Sequence, residues 1–156
     1  MRAPKRLVAL GVASALLTAC HSSSHPASLS AEQVRARVDA ACHATAHPTS
    51  KPPGDAASAA ASDLPAWHDY LAASLPHLET TVRRMRAAVP PRQETIELRA
   101  LFARYDAVDV NGREALDAAG RADVVGFHSA VVDLVHHAHL ADAAASSMGL
   151  RSCASG

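Results

Sequence analysis

Three cysteines and ten histidines carry most of the chemistry open to this 156-residue chain. His136 and His139 stand one helical turn apart, and Asp142 follows a further turn along. Imidazoles so spaced could share Zn²⁺ or Cu²⁺. A closed zinc site needs four ligands, and a catalytic one three plus water. One helix offers two good ligands at best, so a second helix would have to complete the site. The competing reading is a solvated helix face that uses histidine. A helical wheel puts His128, His136 and His139 opposite the expected core and His137 at its edge. His43 and His47, four residues apart, would share one side of an earlier helix.

Other chemistry is argued against. Tyr105 to Gly112 has the cadence of a calcium loop. With Gly112 as its sixth position, however, the first and twelfth positions hold Ala107 and Ala118, so both essential carboxylates are missing. Cys42 and His43 are adjacent, and adjacent helical side chains point about 100° apart, which does not make a thiol–imidazole pair. No G-x-S-x-G, H-E-x-x-H, phosphate loop or C-x-x-C occurs. The expectation is a protein without catalytic residues, resident metal or cofactor. A histidine-based Zn/Cu-binding protein is the alternative.

The remaining cysteine, Cys20, closes the N-terminal apolar run. Arg2, Lys5 and Arg6 precede an apolar stretch from Leu7 to Leu17, the charge-then-apolar order of an export signal. The stretch is short of the ~20 residues a transmembrane helix needs. Leu17-Thr18-Ala19-Cys20 resembles the lipobox of bacterial lipoproteins. That resemblance implies a thioether-linked diacylglycerol on Cys20, cleavage just before it, and a further acyl chain such as palmitate on the new amine. Residues 1–19 are then the signal peptide, 20–29 a Ser-rich tether, and 30–156 the folded domain. The protein would be held on the cell membrane by Cys20, facing the extracytoplasmic side.

Composition narrows the rest. The chain has 15 Lys+Arg and 15 Asp+Glu, and loss of Arg2, Lys5 and Arg6 leaves a formal charge of −3. That argues against nucleic acid, which needs a clustered basic surface. Alanine supplies about a quarter of the chain, while Lys5 and Lys51 are the only lysines and Ile96 the only isoleucine. The bias points to a GC-rich genome of the actinobacterial kind. Alanine is the best helix former, and period-two β-branched runs are lacking. With Cys20 acylated, Cys42 and Cys153 remain. In an exported protein such a pair is expected to be bonded.

Four amphipathic helices are predicted. The first runs from Ser30 to Ala46, with Ser30 and Gln33 forming a capping box and Val34, Val38, Ala41 and Cys42 on one face. Pro48, Pro52, Pro53 and Gly54 then interrupt the chain. The second spans Asp63 to Val89, where Leu64, Trp67, Leu71, Leu75, Leu78, Val82, Met85 and Val89 keep phase through Pro76, so a kinked single helix is expected. The third starts near Arg92 and carries Leu98, Leu101, Phe102, Tyr105 and Val108. Asn111-Gly112 leaves open whether it is broken, and Gly120 is its expected stop. The fourth follows Asp123 as N-cap. It turns Val124, Phe127, Val131, Leu134, Val135, Ala138, Ala141, Ala145 and Met148 inward and ends at Gly149, with Leu150 as the apolar partner.

These elements make an all-α four-helix bundle with a long first crossover connection and one disulfide. In an up-down-up-down bundle Cys42 and Cys153 would lie at opposite poles, whereas a disulfide needs Cα atoms within ~7 Å. The expected resolution is a first helix parallel to the fourth. The lipobox, the Ala-rich body, the cysteine in the first helix and the closing Gly149-Leu150-Arg151-Ser152-Cys153 resemble small actinobacterial helical secreted proteins and lipoproteins. The resemblance implies this fold and disulfide and no activity. The function expected is that of a lipid-anchored structural or interaction module of the envelope with a protein partner there.

Overall fold

A computed structural model describes residues 28–44 and 51–154. Four helices, α1 (Ala31–His43), α2 (Leu64–Ala88), α3 (Ile96–Gly120) and α4 (Val124–Ser147), pack on one another, with a single 3-10 turn at Ala56–Ser58. No strand occurs among the described residues. The leader, Cys20, most of the tether and His47 lie outside them.

The helix ends follow local chemistry. At α1 the Gln33 amide donates to Ser30 Oγ at 3.1 Å, and the Ser30 amide donates to Gln33 Oε1 at 2.8 Å, the full capping box. Thr95 and Asp123 cap α3 and α4 by accepting from Leu98 and Gly126 amides. Helix α2 continues through Pro76. Proline lacks the N–H that Ala72's carbonyl would bind, but both residues are exposed, so water can serve that carbonyl.

Helix α3 is unbroken at Asn111-Gly112. The Asn111 amide donates to the Ala107 carbonyl at 2.8 Å, within the helix. Gly112 lies in the α2–α3 contact, where an added Cβ would stand 2.5 Å from Leu75 Cδ2. The glycine therefore serves close approach, not a turn.

Two apolar clusters are stacked along the bundle. One gathers Val34, Val38, Met85, Leu101, Phe102, Ala145 and Leu150 beneath α1. The other gathers Leu64, Trp67, Leu71, Ala115, Phe127 and Val131 and includes Ala59 of the linker. Helix α1 therefore covers one half, and the linker's 3-10 turn packs against α4 over the other.

The stripe expected on α2 is buried or half-buried throughout. On α4 the arc is rotated: Ala130 is buried, and Val135 is 43% exposed. Helix α3 buries Gly112, Ala115 and Ala119, and Gly112 is met by Leu75 of α2 and Leu134 of α4.

Cys42 and Cys153 are bonded, with Cα atoms 5.3 Å apart. The orientation of α1 differs from the expected one. Ala44's carbonyl accepts from Arg84 Nη1 at 3.1 Å, whereas Leu29's carbonyl accepts from Gln93 Nε2 at 2.6 Å. Helix α1 thus meets these partners in reverse chain order and runs against α2. Arg86–Asp106 and Arg113–Glu79 pairs set α3 antiparallel to α2. The Trp67–Phe127 contact places the start of α4 beside the start of α2. Helix α1 therefore also runs against α4.

Two features reconcile that sense with the disulfide. Helix α1 has 13 residues, about 20 Å, and stays in the half where α4 ends. The tail beyond α4 then doubles back at Gly149, φ +75°. The long first connection is present as expected: it begins beside Arg84 and ends at Leu64, some 30 Å away along α2.

Candidate functional site

The side chains singled out for chemistry fall into three places. Cys42, Cys153 and Met85 form a buried sulfur cluster where α1, α2 and the tail meet. Met85 is fully buried, and its Sδ lies 3.0 Å from Cys42 Sγ and 3.7 Å from Cys153 Sγ. The periodicity of α2 assigns Met85 to the core but gives no sign that it touches the disulfide.

The tail is fixed by more than the covalent bond. The Ser152 amide donates to Asp39 Oδ1 at 2.7 Å, and the Ser152 hydroxyl donates to Asp39 Oδ2 at 3.2 Å. Tyr105's hydroxyl donates to the Cys153 carbonyl at 3.3 Å. Burial is the main cause that pushes the Tyr105 phenol up to about 12, with the nearby Asp142 carboxylate adding to it. Burial likewise raises Asp142, and His139 acts in the opposite direction. Asp39 precedes Cys42 by three residues, so the disulfide and this hydrogen-bonded clamp share one turn of α1. The sequence held the acid and the serine but no signal that paired them.

The His136 and His137 rings meet edge-on at 5.4 Å, but the α4 histidines gather no third ligand among the described residues. His136 and His139 are exposed, and His137 is half-buried. His128, placed opposite the core by the wheel, is half-buried instead, with Nε2 2.9 Å from the Ala59 carbonyl. The linker covers that face of α4, a contact the wheel could not contain. Among the described residues no three His, Cys, Asp or Glu side chains are grouped to hold a metal ion.

Asp109 lies inside α3 and accepts from Arg113 Nε at 2.9 Å, while Arg113 also reaches Glu79. The hydrogen bond to Asp109 is the main cause that holds the Arg113 guanidinium above its ordinary pKa. A loop that could wrap calcium is therefore replaced by a charge ladder between α2 and α3. Arg86 adds to it, bonded to Asp106 at 2.6 Å and lying over the Phe102 ring at 5.4 Å.

A groove of about 490 Å³ opens between the start of α1, the α2–α3 connection and the end of α4. Leu29, Val34, Leu98 and Met148 give it apolar walls, and Arg35 and Glu97 stand among its lining residues. Gln93 also lines it, using its amide N–H on Leu29. Val125 and Val132 project from α4 to solvent, 81% and 61% exposed. That helix contains no lysine or arginine. No described helix is long and apolar enough to cross a membrane.

No family model matches the chain, and neither a curated protein nor a solved structure is significantly similar to it.

Proposed function

We propose that this chain is a lipid-anchored, extracytoplasmic helical protein of the cell envelope, acting as a structural or interaction module without catalysis. One observation carries the anchor: Arg2, Lys5 and Arg6, the Leu7–Leu17 run and Leu17-Thr18-Ala19-Cys20 occur in the order that lipidation and cleavage require. Buried acyl chains contribute ~0.8 kcal/mol per CH₂, and stable attachment takes two chains or more. A disulfide-closed body suits an oxidising compartment.

The described polar groups support the non-catalytic reading by what they already do. Cys42 and Cys153 are joined, Asp39 clamps the tail, and His128 faces a linker carbonyl. Asp123 caps a helix, and Asp109 and Glu79 pair with Arg113. Exposed Val125, Val132 and Val135 on a helix without lysine or arginine support contact with another envelope protein.

The test is mass spectrometry of the protein extracted from membranes, together with metabolic labelling by a fatty acid. A mature chain that begins at Cys20 and carries lipid is expected, and Cys20→Ser should abolish the label. Survival of the label in that variant would refute the anchor.

A further inference from the structure

The sulfur cluster has a composition that a purely structural disulfide does not require. Two cysteine sulfurs and one thioether converge in a pocket where Met85 is 0%, Cys42 5% and Cys153 7% exposed. Thiolate and thioether donors together favour Cu(I) over Zn²⁺, which takes thiolate, imidazole or carboxylate. We propose that reduction of the Cys42–Cys153 bond unmasks a buried Cu(I) site, with Cys42, Cys153 and Met85 as its three ligands. This site is separate from the α4 histidines and does not depend on the lipid anchor.

The step balances with a dithiol as reductant. The dithiol supplies two electrons and two protons, the Cys42–Cys153 sulfur bond breaks to two thiols, and the dithiol closes to its own disulfide. Cu(I) then binds both sulfurs as thiolates and releases their two protons to solvent, while Met85 adds a neutral third donor. With metal–sulfur bonds of about 2.3 Å in a trigonal plane, the sulfurs stand roughly 4 Å apart. Met85 Sδ is already 3.0 and 3.7 Å from the two cysteines. The cysteine sulfurs must therefore move apart, and Cys42 Sγ must also draw about 1 Å away from the thioether.

The fold supplies that movement without losing the site. Cys153 is on the short tail beyond Gly149, not on a helix. The tail stays attached without the covalent bond: Leu150 is fully buried, the Ser152 amide and hydroxyl hold Asp39, and Tyr105 holds the Cys153 carbonyl. Reduction should free a sulfur, not a helix.

The experiment uses the full chain carrying Cys20→Ser, so that Cys20 offers no thiol. The protein is reduced, freed of reductant under argon and titrated with Cu(I) against bicinchoninate, with Zn²⁺ in parallel. The expected result is one Cu(I) per chain in the reduced form only, three sulfur neighbours by X-ray absorption, and an unchanged helical circular dichroism signal. Met85→Leu, which conserves volume, should weaken Cu(I) binding at least tenfold, and Cys42→Ser should abolish it. His136→Ala with His139→Ala should leave it unaltered. The proposal is overturned by unfolding on reduction, by Cu(I) binding no tighter than in Cys42→Ser, or by Met85→Leu binding as well as its parent. Two sulfur neighbours instead of three would also overturn it.

Discussion

The two helix ends at Ala122 and Gly149 adopt the same motif with different residues, which makes a paired experiment. After α3, the Asp123 amide donates to the Ala118 carbonyl at 2.9 Å and the Ala122 amide to Ala119 at 3.1 Å. After α4, the Leu150 amide donates to Ala145 at 2.9 Å and the Gly149 amide to Ser146 at 3.0 Å. Both are Schellman caps whose C′ residue is left-handed, with φ +55° at Ala122 and +75° at Gly149. The left-handed conformation costs an L-residue roughly 1–2 kcal/mol. Glycine escapes that cost but loses ~0.4–1 kcal/mol more chain entropy on folding.

Ala122→Gly should therefore stabilise by about 0.5–1 kcal/mol. Gly149→Ala should destabilise by a similar amount, because its added Cβ meets nothing within 4 Å and only the backbone term changes. For a chain of this size each change corresponds to about 1–4 °C in Tm. The assay is thermal unfolding followed by circular dichroism, with the disulfide intact and urea midpoints as a check. Shifts of the same sign in both variants would refute the reasoning, since backbone conformation would then not govern these ends.

Other expected outcomes follow from the tail and its clamp. Replacing both Cys42 and Cys153 by alanine opens a closure of sequence separation 111, for which chain entropy suggests up to about 5 kcal/mol; a urea midpoint within error of the parent would contradict it. Asp39→Ala leaves the Ser152 amide and hydroxyl without their acceptor and should cost ~1–3 kcal/mol in urea unfolding. It should also speed reduction of the disulfide by a dithiol, and an unchanged reduction rate would show that the clamp does not hold the tail. Tyr105 is raised from 10.0 to about 12 by burial, with Asp142 contributing. The folded state therefore holds the phenol proton more tightly, and its stabilisation is complete below pH 10 and lost as pH rises through about 12. Tyr105→Phe should remove that part of the alkaline fall in stability, as read from urea midpoints across this range. Asp142→Asn should move the Tyr105 absorbance titration downward, and no movement would show that the carboxylate is not a cause.

The elements were legible because their signals are local. Ser30 and Gln33, Asp123, the α2 stripe and Gly149-Leu150 each act within a few residues, and the capping bonds and the buried faces of α1 and α2 are as read. What escaped depended on elements far apart in sequence. Whether Gly112 breaks the helix stays open until Leu75 is seen against it, and His128 reads as solvated until the linker lies over it. Helix α3 stops at Gly120 as expected, but the left-handed residue that closes the cap is Ala122, a position with no local glycine signal.

The sense of α1 escaped for a related reason. The disulfide constrains two Cα atoms, not two helix axes. A 13-residue helix in the right half and a tail reversed at Gly149 satisfy it as well as a parallel helix would. The same reversal sets Cys153 beside Met85 and Ser152 beside Asp39. The tail thus brings together the one group of side chains in the described body whose chemistry changes with redox state.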